Sequence, residues 1–281
     1  MKVKRSERLI DMTHYLVEHP RKLVPLTFFA DRFQSAKSSI SEDLVIVKES
    51  FKLRGVGTLQ TVSGAAGGVK YIPGIKRKQA EELIDTLREH VSHSDRLLPG
   101  GYLYLTDILG DIHLMNHIGK LFAAAFADQD IDVIMTVATK GIGIAHAVAR
   151  YLGVPVVVVR RDSKVTEGST VSINYVSGSS KRIQTMLLSK RSLAQGSRVL
   201  IVDDFMRAGG TAAGMKSLLD EFSATVAGIG IFIESEYREE HLVDDYISLL
   251  KLAGVDEKDK TIRVTTGNYF DQVQSFLSTN E

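Results

Sequence analysis

The chain has 281 residues, 44% of them apolar and 25% charged, with no cysteine and a net charge of +1. That balance is ordinary for a water-soluble globular protein, and the length allows two domains. It excludes disulfides, thiol catalysis and thiolate metal sites. No run approaches the ~20 apolar residues that span a bilayer, and charges interrupt every apolar run near the N-terminus, so neither a membrane span nor a signal peptide is expected. The expected location is the cytoplasm.

The small net charge hides an asymmetry. Residues 1–78 carry 15 Lys and Arg against 7 Asp and Glu, a balance of +8, whereas the rest carries 20 against 27, a balance of −7. A basic end on an acidic body points to a polyanion partner for the basic end. Ser6 to Glu18 places Leu9, Ile10, Met12, Tyr15, Leu16 and Val17 at helical spacing, with Pro20 as a stop. Leu26 to Phe33 predicts a second helix with Thr27-Phe28-Phe29 as its core face. Ser38 or Ser39 is the expected cap of a third, and Glu42, three residues after Ser39, suggests a capping box. Only Gln34 to Lys37 joins the last two, which is the helix-turn-helix pattern.

A hairpin follows, from Thr58–Val62 and Val69–Ile72 around a turn over Ser63 to Gly68. Three helices and a hairpin describe a winged helix, whose third helix enters the major groove of duplex DNA. Lys37, Ser38, Ser39 and Ser41 are the candidates to touch bases there. Lys70 on the wing and Lys2, Lys4, Arg5 and Arg8 are candidate phosphate contacts, which position without specifying sequence. The expected boundaries are 1–74 for this domain and 75–281 for the rest.

Ile75 to His93 predicts an amphipathic joining helix. Leu97 to Tyr104 has turn chemistry and then a short strand, and thereafter helix and strand alternate, as in an α/β domain. Asn116 to Ala127 is an expected helix, Val133 to Val137 a strand, Ile144 to Leu152 a helix, and Val154 to Val159 a third buried strand. Ala138-Thr139-Lys140-Gly141 lies between strand and helix and is a candidate anion loop. Arg160 to Leu193 holds a strand, Val171 to Val176, between turns at 166–170 and 177–182. Val226 to Ile233 is expected to be the last buried strand, and Tyr237 to Glu281 offers no motif. The eight histidines are scattered, and no metal site is indicated.

The densest chemistry lies in the buried strand Val199 to Val202 and the residues that follow it, Asp203-Asp204-Phe205-Met206-Arg207-Ala208-Gly209-Gly210-Thr211, which lead into a helix over Ala212 to Asp220. In open α/β sheets ligands bind beyond the carboxyl ends of the strands, and helix N-termini favour phosphate. Gly209 and Gly210 let backbone N–H groups surround an anion, with the Thr211 hydroxyl beside them. The two carboxylates repel a phosphate but accept hydrogen bonds from a sugar diol. A sugar phosphorylated at one end is the ligand this order of residues describes.

This stretch resembles the phosphoribosyl pyrophosphate (PRPP) signature of type I phosphoribosyltransferases. The resemblance implies that Asp203 and Asp204 hold the ribose hydroxyls, that Ala208 to Thr211 hold the 5′-phosphate and that Ala138 to Gly141 form the pyrophosphate loop. It also places the segment 160–193 where those enzymes carry a flexible hood, although a plain surface hairpin has the same sequence pattern. Tyr102 and Phe205 are candidates to stack on a base or nucleotide, or else belong to the core.

In hypoxanthine-guanine enzymes the third residue after the acid pair is a carboxylate that helps remove the proton of the base. Here it is Arg207, which cannot act as a base. Adenine-type enzymes also lack that carboxylate, so an active purine phosphoribosyltransferase with an appended DNA-binding domain stays the alternative. Joined to the winged helix, the signature resembles the purine operon regulator family of Gram-positive bacteria. Leu26 to Phe29, Ala36 to Asp43, Thr166 to Tyr175 and the Asp203 stretch carry this resemblance. It implies an α/β protein with an N-terminal winged helix-turn-helix domain and a phosphoribosyltransferase-like parallel-sheet domain. The implied function is a homodimeric regulator of purine biosynthesis genes that binds DNA upstream of them. PRPP is its effector, accompanied by Mg²⁺ and with purine nucleotides as candidate competitors, and is not turned over.

Overall fold

The computed structural model describes residues 3–64, 67–162, 165–176, 182–236, 242–273 and 276–277. Lys2, part of the hairpin turn (65–66) and the turn at 177–181 fall outside them.

The N-terminal module is built from α1 (Arg5–Glu18), α2 (Leu26–Phe33), α3 (Lys37–Arg54) and the antiparallel pair β1 (Gly57–Val62) and β2 (Gly68–Pro73). Val24 bridges to Val69, so the segment before α2 joins the edge of the hairpin. Met12 and Leu16 of α1, Phe29 and Phe33 of α2, and Ile40, Val47 and Phe51 of α3 close one core over Leu59 and Tyr71.

Two expectations are corrected. Thr27 and Phe28 are exposed and only Phe29 of that triplet is buried, because helical spacing turns consecutive residues to different faces. The serines are not caps: α3 starts at Lys37, Ala36 is its N-cap without a side-chain bond, and Ser38 and Ser39 lie inside the first turn with no capping box.

The remainder starts with α4 (Arg77–Val91) and a small hairpin, β3 (Leu97–Leu98) and β4 (Tyr102–Leu103). Then come α5 (Thr106–Gly110), α6 (Ile112–Ala125), β5 (Val133–Val137), α7 (Gly141–Leu152) and β6 (Val156–Val159). Next are β7 (Thr170–Val176), β8 (Ile183–Ser189), β9 (Arg198–Met206), α8 (Gly210–Asp220), β10 (Thr225–Ser235), β11 (Ile247–Asp256), β12 (Thr261–Thr266) and α9 (Tyr269–Gln272). The main sheet runs β12-β11-β10-β9-β5-β6, parallel except for the edge strand β12.

Helix α6 begins four residues before the expected Asn116, because Asp111 caps it by accepting from the N–H groups of His113 and Leu114. The strand over 226–233 is not the last, since β11 and β12 follow and complete the sheet edge. Between β6 and β9, β7 pairs with β8 as an antiparallel hairpin outside the main sheet. Tyr175 of that hairpin packs on α8, where Gly214 leaves the space its ring needs: a Cβ there would stand 2.9 Å from the ring.

Strand β5 is followed by β6 on one side, and β9 then returns to its other side. The carboxyl ends of β5 and β9 therefore flank a topological switch point, where open α/β sheets bind ligands. The winged helix meets the opposite, amino-terminal end. Arg21 donates to the carbonyl of Gln129 ahead of β5, and Gly153 ahead of β6 lies against the carbonyl of Pro20. No helix among the described residues is long and apolar enough to cross a membrane.

Candidate functional site

At the switch point the structure brings together the two loops singled out from sequence. Strand β9 extends through the acid pair to Met206, and its neighbour β10 sets Ile231 opposite Asp203. Asp203 is buried and Asp204 half-buried. The Asp204 N–H donates to Asp203 Oδ1 at 3.0 Å. Burial, and next the neighbouring Asp204 carboxylate, raise the Asp203 pKa well above its ordinary value. Burial raises that of Asp204 as well, against the pull of Lys140 and Arg161. Among the described residues no cation stands at bonding distance from either carboxylate, and carboxylates so placed can accept from hydroxyl donors.

Beyond them the chain turns through Arg207 and Ala208 to Gly209, whose φ of +81° is left-handed and caps α8 without any side chain. The N–H groups of the first turn, with no partner inside the helix, form an anion-binding end. Thr211 sits in that turn and lines the same cavity.

The loop from β5 to α7 lies alongside. Ala138 is tied to β6 through its N–H on the Val159 carbonyl, and the Ala138–Thr139 peptide is cis. Thr139 and Lys140 are exposed, and Gly141 opens α7. A Cβ on Gly141 would stand 2.1 Å from Thr136 Oγ1 and 3.4 Å from Asp203 Oδ1, so the loop closes onto the acid pair.

A cavity of about 1300 Å³ joins all of this. Ala138, Thr139, Lys140 and every residue from Asp203 to Thr211 line it, together with Tyr102 and Leu252 to Val255 of β11. Gly141 is buried just behind the loop. Tyr102 is 68% exposed and so is not core, whereas Phe205 is half-buried and packs partly against the core beneath. Arg207 is exposed at the cavity wall.

Sequence reasoning missed Arg161, which lines the cavity and acts electrostatically on both carboxylates. Its signal was available: it stands two residues past the end of β6, at the same sheet edge as the two loops. The β11 wall was missed together with its strand. Among the described residues, no group of three or more His, Asp or Glu side chains is placed to hold a metal ion.

In the N-terminal module, Lys37, Ser38 and Ser41 are exposed on the first turns of α3, and Ser39 is half-buried. Lys4 is exposed at the start of α1, and Lys70 stands half-buried on the wing opposite Gln60. Arg8 is corrected as a phosphate contact: only 11% of its side chain is exposed, and its guanidinium is bonded to Asp43 and to the Val3 carbonyl. Arg5 shares Asp43 through Nε but is 55% exposed, which leaves the rest of its guanidinium open to solvent.

A winged helix joined to a type I phosphoribosyltransferase domain is the class of protein that this fold and site define. Two family models match in that order, "Bacterial purine repressor, N-terminal" over residues 4–73 and "Phosphoribosyl transferase domain" over residues 107–265. The chain belongs to the PurR family of purine biosynthesis transcriptional regulators. It is 61% identical to the purine biosynthesis transcriptional repressor PurR of Bacillus subtilis, over 96% of this chain and 94% of that one. It is 47% identical to the purine biosynthesis transcriptional activator PurR of Lactococcus lactis, over 96% and 99%. Among solved structures, adenine phosphoribosyltransferase from Thermoanaerobacter pseudethanolicus matches with a TM-score of 0.51 and 24% identity. The match covers 59% of this chain and 98% of that one, and is a likeness of fold.

Proposed function

We propose that this regulator binds duplex DNA upstream of purine biosynthesis genes and that PRPP in the β5–β9 cavity controls that binding without being turned over. The observation that carries the proposal is the acid pair, with Asp203 buried and Asp204 half-buried, standing beside a glycine-capped helix end at the switch point. Asp203 and Asp204 accept from the ribose hydroxyls, the first turn of α8 with Thr211 holds the 5′-phosphate, and Ala138 to Gly141 with Arg161 take the pyrophosphate. Tyr102 and Phe205 flank the side from which a base would approach, and Phe205, Met206 and Arg207 complete the wall. The ion that fits is Mg²⁺ arriving on the pyrophosphate, because the carboxylates present are two and are occupied by hydroxyls.

Arg207 supports the absence of turnover, since a guanidinium cannot take a proton from an attacking base. On the DNA side, α3 enters the major groove with Lys37, Ser38, Ser39 and Ser41 forward, and Lys4, Arg5 and Lys70 reach phosphates. A homodimer presents two such modules to two half-sites, in the cytoplasm where DNA and PRPP meet. Because the cavity and the winged-helix contact lie at opposite ends of the strands, control is a linkage: PRPP changes DNA affinity by the factor that DNA changes PRPP affinity.

Calorimetric titration of PRPP with Mg²⁺ tests the site. Saturable binding is expected in the natural chain and none in the D203N/D204N variant, with DNA binding retained in both. Release of pyrophosphate on adding a purine base would replace the proposal with an active transferase, and loss of DNA binding in the variant would make the acids structural.

A further inference from the structure

Helix α3 exposes three apolar residues, Val45, Ile46 and Leu53, and of these Val45 lies nearest in angle to Ser38 and Ser41 of the first turns. Ile40, Val47 and Phe51 are its core contacts with the rest of the module. At about 100° per residue, Ser38, Ser41, Glu42 and Val45 fall within about 100° of one another on the opposite face. Ser38, Ser41 and Glu42 are exposed, and Val45, 57% exposed, lies near the middle of this polar strip. Single exposed apolar side chains are common and by themselves mean nothing. What distinguishes Val45 is its alignment with the residues of the first turns that face DNA.

Ser38 to Val45 covers about 10 Å along the axis, which is three base-pair steps. A helix lying in the major groove through Ser38 and Ser41 therefore sets Val45 over the base pairs next to theirs. Bases offer hydrogen-bonding groups there, and thymine alone adds a methyl group, the one apolar feature of the groove. Valine can neither donate nor accept, so its complement in the groove is that methyl.

We infer that Val45 is a specificity-determining residue that reads a thymine 5-methyl group in the major groove. This rests on the proposed placement of α3 in the groove. Ser38 and Ser41 bond to phosphates or base edges and tolerate several sequences, and Glu42 is an acceptor suited to a cytosine amino group. Val45 adds discrimination for T·A at its own step, through burial of methyl against methyl.

The test is a double substitution cycle on the full-length chain, read by fluorescence anisotropy at one salt concentration. Duplex DNA from upstream of a purine biosynthesis operon is compared with the same duplex carrying 2′-deoxyuridine for every thymidine. Losing one buried methyl contact is expected to weaken the natural chain about fourfold, and V45A to show little or none of that loss. Because Val45 is exposed, V45A is expected to melt at the temperature of the natural chain. Equal loss on uridine DNA in both proteins overturns the inference. S38A/S41A separates this failure from a wider one. If that pair weakens DNA binding while V45A and uridine act independently, only the role of Val45 falls. If neither variant changes DNA affinity, α3 is not in the groove and the placement falls with it.

Discussion

Arg8 of α1 holds Asp43 of α3 through both Nε and Nη2, at 2.9 and 2.8 Å from the same carboxylate oxygen. Arg5 takes the other oxygen at 2.8 Å, and Asp43 is buried between them. The first and third helices of the winged helix are thus joined by a charge cluster as well as by their apolar faces. Removing one member of a buried pair leaves the other uncompensated, at a cost of about 3 kcal/mol. D43A is expected to lower the thermal midpoint of the full chain clearly, and D43N less so, because its amide oxygen still accepts. A D43A midpoint equal to that of the natural chain would show the cluster to be dispensable.

Asp203 gives a pH signature. Its pKa is raised on folding, first by burial and then by Asp204. A carboxyl with a raised folded pKa stabilises the fold at low pH, where it is protonated in both states, and that contribution is lost as pH rises through the folded value. The window begins near its ordinary value of 3.8 and extends upward. Urea denaturation without ligand should therefore show D203N gaining stability relative to the natural chain as pH rises above about 4. A gap that stays constant with pH would mean that Asp203 is ionised throughout.

Gly141 supplies the close approach of the loop between β5 and α7 to the acid pair. G141A sets a methyl group 2.1 Å from Thr136 Oγ1, and the buried side chain of Thr136 has little room to withdraw. Overpacking of this kind costs about 1–3 kcal/mol. PRPP affinity is expected to fall at least about tenfold by calorimetry, while DNA affinity without PRPP stays within about twofold. Unchanged PRPP affinity would place the anion elsewhere.

What the sequence revealed is what lies close together along the chain. Strand, acids, glycines and helix from Val199 to Asp220 are consecutive, so the core of the candidate site could be read without a fold. The limits of α2 and β5 matched because breakers or a change of period bound them. What failed needed tertiary contacts. Arg161 and the β11 wall reach the cavity from other strands, and Thr136 packs beneath Gly141; only the place of Arg161 just beyond a strand end hinted at this. Ser38 and Ser39 look like caps because a serine in the first turn and a serine at the N-cap share the same sequence context. Asp43 and Arg8 look like surface charges because charged residues are seldom fully buried, and only the packed helices show them paired.

If PRPP in the cavity changes how the chain binds DNA, the two ligands must shift each other's affinity. The most direct measurement is the anisotropy of labelled duplex DNA from upstream of a purine biosynthesis operon, titrated with the full chain at fixed salt, with and without saturating PRPP and Mg²⁺. A shift in DNA affinity of about tenfold is expected, abolished in D203N/D204N, with DNA shifting PRPP affinity by the same factor. Identical DNA affinity at zero and saturating PRPP would contradict the account.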